Sequence, residues 1–257
     1  MITYKAIIVS DLHLGTKDSK AEEFIEFIEK HPTELLVLNG DIVDGWAINR
    51  GSKWKKQHTK VISKILKLSN KTQIVWIRGN HDEFIQEFIG SHFGGIEIRE
   101  DYKIHYSEHI EYDTWKHRCF YIFHGDVIDV FITKYKWLSK LGAVGYDFAL
   151  WLNRQYNKYR KWRNLPYQSI SQKIKTGVKA ATNYVNDFEV TALKMAEKKG
   201  CDGVICGHIH QPEDRIIDGK RYVNSGDWVE NMSAVMIDTY GRLYLYIGKT
   251  YILCKNF

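Results

Sequence analysis

The chain has 257 residues, 37 Lys and Arg against 31 Asp and Glu for a formal charge of +6, 44% hydrophobic and 14% aromatic residues, and only 3 prolines. That length admits one large domain or two modest ones, and the composition excludes a disordered tract, a collagen-like repeat and a disulfide-stapled miniprotein. The positive charge admits an anionic partner.

At the N-terminus the run Lys5 to Val9 is far shorter than the apolar region of a signal peptide, and no stretch approaches the ~18 apolar residues of a membrane span. Cys119, Cys201, Cys206 and Cys254 form no Cys-x-x-Cys pair and no framework. A reducing, cytoplasmic setting is expected, with at most peripheral contact at the inner membrane.

Short apolar runs follow in chain order. Ile7 to Val9, Leu35 to Leu38, Ile74 to Ile77 and Cys119 to Phe123 have the length and β-branched or aromatic content of strands buried on both faces. Helical spacing lies between them, first at Ala21, Phe24, Ile25 and Ile28, where Ser19 with Glu22 reads as a capping box, then at Val61, Ile62, Ile65 and Leu66. Residues 131–200 read as a helical insertion, with Val178, Ala181, Val185, Phe188, Ala192 and Met195 on one stripe. Gly203 to Cys206 is a further strand, and Ser233 to Ile237 and Leu243 to Ile247 read as a pair. The order predicts a layered α/β protein with two sheets, its core formed by residues 1–130 and 201–257.

Each buried strand is followed by residues that carry chemistry. Asp11 and His13 follow the first, Asp41 and Asp44 the second, Asn80, His81 and Asp82 the third. His124 and Asp126 follow the fourth, and His208 and His210 the fifth, all beside glycines that permit tight turns. Any one of these groups is compatible with an ordinary turn. Five in succession at strand ends, where sites assemble in open α/β sheets, are not. The donors are oxygen and imidazole without thiolate, which suits Mn, Mg, Fe or Zn, and seven ligand candidates are too many for one tetrahedral ion. Two ions about 3.5 to 4 Å apart would accommodate them.

The order Asp-x-His, Gly-Asp-x-x-Asp, Gly-Asn-His-Asp, His-Gly-Asp, Gly-His-x-His resembles the calcineurin-like metallophosphoesterase superfamily. The resemblance implies a two-sheet αββα sandwich in which Asp11, His13 and His210 hold one ion, Asn80, His124 and His208 the other, and Asp41 bridges them. It implies a metal-bridging hydroxide as nucleophile, His81 near the scissile phosphate as acid or charge stabiliser, and Asp82 orienting His81. Asp126 is read as orienting a histidine ligand, and Asp44 and Asp227 as acceptors of turn amides. Candidate substrate contacts are Asn80, Arg78 and Lys173, although Arg78 is equally readable as a strand-end charge and Lys173 as a solvated one. His31, His58, His92, His105, His109 and His117 show no partner pattern and are expected at the surface.

Asp44-Gly45-Trp46, Asn224 to Glu230 and the large helical insertion look like the UDP-2,3-diacylglucosamine diphosphatase family of lipid A biosynthesis, with a lid over residues 131–200. That resemblance implies two Mn ions as cofactor and release of UMP from a nucleotide-lipid. The chain departs from it at His81, where that family usually has Arg. The insertion holds 14 of the 37 Lys and Arg but 4 of the 31 Asp and Glu, together with 12 aromatic residues. Basic helices rich in Trp and Tyr suit an anionic membrane surface. The alternatives are a nuclease or nucleotide phosphodiesterase, whose basic aromatic segment would track a nucleic-acid backbone, and a metal-free binding scaffold.

Overall fold

The structure, a computed structural model, describes residues 3–109, 115–131, 154–163 and 179–254. It is built on two sheets. The first contains β1 (Tyr4–Val9), β2 (Thr33–Asn39), β3 (Gln73–Ile77), β4 (His92–Phe93), β5 (Ile96–Arg99), β11 (Ser233–Asp238), β12 (Leu243–Ile247) and β13 (Thr250–Leu253). Its order is β13-β12-β11-β1-β2-β3-β5-β4, with β1, β2, β3 and β5 parallel and β11 antiparallel to β1. The second contains β6 (Tyr102–His109), β7 (Trp115–Ile122), β8 (Gly203–Cys206), β9 (Glu213–Ile217) and β10 (Lys220–Asn224), in the order β6-β7-β8-β10-β9.

Strand alternation sorts the core into two layers. Ile7, Val9, Leu36, Leu38 and Ile74 face α1 (Ala21–Lys30) and α3 (Lys56–Leu68) in one cluster with Phe24, Phe27 and Trp228. Their neighbours Ala6, Ile8, Leu35, Val37 and Val75 face the other way, against Ile104, Phe120, Ile122, Ile205 and Val223 of the second sheet. Both faces of the central strands are therefore apolar, which is why their sequences are continuous hydrophobic runs rather than alternating ones. The remaining helices among the described residues are α2 (Gly45–Asn49), a 3-10 turn (Glu83–Phe88), α4 (Val127–Phe131), helical residues 154–162 and α5 (Lys179–Lys198).

Three sequence expectations change. The helix begins at Ala21 without a side-chain cap, and Ser19 Oγ instead donates to Leu12 O at 2.7 Å. His31 and His58 are buried, not superficial, whereas His92, His105 and His117 are exposed. Cys119 and Cys201 are 82 residues apart yet joined as a disulfide, because β7 and β8 run side by side, while Cys206 and Cys254 are buried free thiols. By internal contacts the chain divides into residues 1–126 with 192–257 as one compact unit and residues 127–191 as another. No helix among the described residues is long and apolar enough to cross a membrane.

Candidate active site

The carboxyl ends of β1, β2, β3, β7 and β8 turn abruptly, and these turns carry the candidate donors. Asp11, His13, Asp41, His208 and His210 all have positive φ, between 44° and 67°. Non-glycine residues pay of order 1 kcal/mol or more each to stay there, and such conformations persist only where surrounding structure over-determines them. The surrounding structure is a backbone lattice between the loops. Asp11 N donates to Gly40 O at 3.1 Å, His13 N to Asp41 O at 2.9 Å, and Leu14 N to Ile42 O at 2.9 Å. Trp228 N donates to Asp11 O at 3.0 Å, and Asn231 Nδ2 to His210 O at 3.0 Å. The strain fixes where the side chains converge.

They converge in overlapping groups. Donor atoms of Asp11, His13 and His210 lie within 4.8 Å of one another, as do those of Asp41, His124 and His208, and those of His13, Asp41 and His81. His13 Nε2 and His210 Nε2 are 3.3 Å apart, and Asp11 Oδ1 is 2.9 Å from the latter. His124 Nε2 is 3.2 Å from Asp41 Oδ2. Asp11 Oδ1, Asn80 Oδ1 and His124 Nε2 are buried without an aligned hydrogen-bond partner. Such atoms are costly unless something else meets them.

Electrostatics say what that something is. Burial opposes charge on His124, yet the Asp41 and Asp11 carboxylates push it up to about 10. Burial likewise opposes charge on His13, and hydrogen bonds with Asp11 and Asp44 hold it well above the usual imidazole range. Asp11 lies well below the usual carboxylate range despite burial, because His210 and His124 are beside it, and Asp41 does so because of His124. The cluster draws positive charge into a buried spot, and divalent cations held there would supply that charge in place of imidazole protons. Orphaned donors and the N/O set both fit a divalent metal site.

The ring orientations are set from behind. His124 Nδ1 donates to Asn39 O at 2.9 Å, which leaves Nε2 as the ligating nitrogen. His13 Nδ1 is 3.1 Å from Asp44 Oδ2, with the same consequence. Asp44 Oδ1 is also 3.1 Å from His81 Nδ1, so one carboxylate faces both rings. Burial raises Asp44, but hydrogen bonds from His13 and His81 outweigh it and hold the carboxyl well below its usual range. Asp44 also accepts from Ala47 N at 2.6 Å, so the turn-amide reading captured one of its three contacts.

Other expectations are corrected. Asp82 does not touch His81. It accepts from Gly79 N at 2.6 Å, Ile42 N at 3.0 Å and Trp76 Nε1 at 3.0 Å, and burial with the nearby Asp41 charge pushes it up to about 6. Asp126 pairs with Arg78 at 3.0 Å rather than hydrogen-bonding a histidine. Arg78 is buried between Asp126 and Glu100, which makes it a loop clamp and not an available phosphate contact. Asp227 accepts from Val229 N and Glu230 N, as expected of a turn. His81 packs against Trp46 in a tilted arrangement with ring centroids 4.3 Å apart and meets His13 edge-on at 4.7 Å. Lys173 and most of the basic aromatic stretch lie outside the described residues. His58 was missed: its Nδ1 accepts from Gly15 N at 3.1 Å and ties α3 to the His13 loop. Its i+3 relation to Lys55, whose amide it also accepts, was the available cue.

The family model for calcineurin-like phosphoesterases matches residues 4–212. UDP-2,3-diacylglucosamine hydrolase of Wigglesworthia glossinidia brevipalpis is 24% identical over 239 residues, 90% of each chain. Among solved structures, the E. coli phosphoesterase Yfce is similar at 14% identity and a TM-score of 0.49 over 96% of each chain. A single mutant of Vps29 from Entamoeba histolytica is similar at 10% identity and a TM-score of 0.47, over 97% of this chain and 99% of the other. With the family match spanning the loops that bring Asp11, Asp41, His124 and His210 together, this chain belongs to the calcineurin-like phosphoesterase family.

Proposed function

We propose that the chain is a dimetal hydrolase of UDP-2,3-diacylglucosamine, releasing UMP and 2,3-diacylglucosamine 1-phosphate, with Mn as the working metal. The observation that carries this reading is the similarity to the Wigglesworthia hydrolase over 90% of each chain. Within the family, a hydrolase acting on phosphoesters is the coarser statement.

Asp11, His13 and His210 would hold one ion and Asn80, His124 and His208 the other, with Asp41 between them. Bound there, divalent ions supply Lewis acidity toward a phosphoryl oxygen and acidify water. The chain's own residues do the rest. Asn39 O and Asp44 keep the Nδ1 protons of His124 and His13, so both rings present Nε2. Asp44 Oδ1 also lies 3.1 Å from His81 Nδ1, so the carboxylate stands on that side of the ring and Nε2 would be the nitrogen that meets a phosphoryl or leaving-group oxygen. Trp46 packs against one side of that ring, tilted 37° to it. The donors at positive φ are paid for by the folded lattice in advance, so no reorganisation is needed at the moment of reaction.

The test is hydrolysis with Mn of UDP-2,3-diacylglucosamine beside CDP-diacylglycerol, ADP-ribose and a single-stranded oligonucleotide. UMP release with a preference of about 100-fold in kcat/KM is expected for the first. A better rate on any of the others overturns the substrate assignment, and turnover of the oligonucleotide selects the nuclease reading.

A further inference from the structure

Between Asp44 and Asp82 the chain holds nine Lys and Arg and no acid. Arg78 is buried among its own acids, and Lys64 reaches Glu29 at 2.6 Å. Among the described residues the other seven have no acidic partner. On α3 the buried positions are His58, Val61 and Ile65. By helical periodicity Lys56, Lys60 and Lys67, at i, i+4 and i+11, fall together on the opposite side, where the like charges four apart repel one another. A row of lysines without acidic partners on a regular helix is electrostatically complementary to an anionic surface.

The flank of the same helix is apolar. Ile62 and Leu66 line a cavity of about 220 Å³ together with Phe84, Phe88 and Phe93. Leu66, Phe84, Phe88 and Phe93 are each more than two-fifths exposed. Phe88 and Phe93 meet edge-on with centroids 5.1 Å apart, so the patch is continuous. Trp46 and Trp54, also exposed, stand at the other end of the segment. Contiguous exposed apolar side chains beside unpaired cations mark an interaction surface.

We propose that this face docks on an anionic lipid bilayer, with the α3 lysines against headgroup phosphates and the Leu66, Phe84, Phe88 and Phe93 side chains at the acyl boundary. Aliphatic Leu66 and the neighbouring exposed Ile89 have no use in base stacking but fit hydrocarbon, and exposed Trp suits headgroup depth. This surface is formed by residues outside 131–200 and depends on no assignment of substrate.

The experiment is co-sedimentation of the full-length protein with vesicles of phosphatidylglycerol and phosphatidylethanolamine, and with neutral phosphatidylcholine vesicles. Wild type is expected to bind the anionic vesicles, less so as salt rises. Lys56→Glu/Lys60→Glu/Lys67→Glu is expected to lose at least about tenfold in partition, and Leu66→Gln/Phe88→Gln about tenfold. Hydrolysis of bis-p-nitrophenyl phosphate at the wild-type rate shows that each variant is folded. Absence of wild-type binding, or unchanged binding in the lysine variant, overturns the proposal. So does a lysine variant that loses affinity for an oligothymidylate while its vesicle binding is kept, which assigns the face to nucleic acid instead.

Discussion

At Gly79 an added Cβ would lie 2.3 Å from Asp41 Oδ1, so a single methyl group and the Asp41 carboxylate cannot share the space. Gly79→Ala is expected to displace Asp41 and lower Mn affinity and turnover by about 10- to 100-fold, the cost typical of disturbing what orients a ligand. Titration calorimetry with Mn checks it, and undiminished affinity would show that the loop moves instead. Asp44 and Asp82 give a sharper contrast, because both are buried and only one faces the rings. Asp44→Asn is expected to cut kcat by about 10- to 100-fold with stability little changed. Asp82→Asn leaves amide donors facing one another and is expected to cost about 1–3 kcal/mol in urea unfolding. The donors themselves were legible, since each sits at a strand end beside a glycine. The roles of Asp44 and Asp82 were not: adjacency to His81 in sequence does not give a side chain's direction, and Asp82 turns inward to Trp76 and two amides.

At the scale of elements, Trp228 shows how a core residue serves the site. It is 1% exposed, lies 5.0 Å from Phe24 and 5.1 Å from Phe27 by ring centroid, and its amide holds Asp11 O. Trp228→Ala is expected to cost about 3–5 kcal/mol in urea unfolding, with a parallel loss of Mn affinity. His31 gives α1 a pH dependence. Its Nδ1 donates to Phe27 O at 2.6 Å and its Nε2 meets Tyr251 Oη at 2.5 Å, and burial lowers its pKa from the usual imidazole value, favouring the neutral ring. The unfolded ring takes up a proton as pH falls through about 6.5 while the folded ring resists, so the contribution is present above that value and lost below it. Tm should fall between about pH 7 and 5 more steeply in wild type than in His31→Phe, and equal slopes would place the acid sensitivity elsewhere. Strands buried on both faces announced themselves as unbroken apolar runs, whereas His31 and the bare N-terminus of α1 depend on tertiary partners, Tyr251 and Leu12, that local spacing does not reveal.

For the whole molecule, net charge concealed as much as it showed. Residues 131–200 account for more than the total of +6, and the remainder sums to a negative value although it contains an acid-free basic segment on α2 and α3. Averaging over a fold-level boundary erased a patch defined by surface neighbourhood. The same boundary makes a prediction about division of labour. The seven donors, with His81, Asp44 and Asp82, all belong to residues 1–126 and 192–257, a compact unit with its own two-layer core. Among the described residues, the backbone and ring contacts that position Asp11, Asp41 and His124 are with Gly40, Trp228, His81 and Asn39. Replacing residues 132–178 by a short Gly-Ser linker should therefore leave Mn binding and hydrolysis of bis-p-nitrophenyl phosphate within about threefold of wild type, while hydrolysis of UDP-2,3-diacylglucosamine falls by about 100-fold or more because remote binding energy is lost. Parallel loss on both substrates would show that the insertion supports the metal site itself. Retention of both would remove the insertion from substrate recognition and leave the α3 face as the element that brings the enzyme to its lipid.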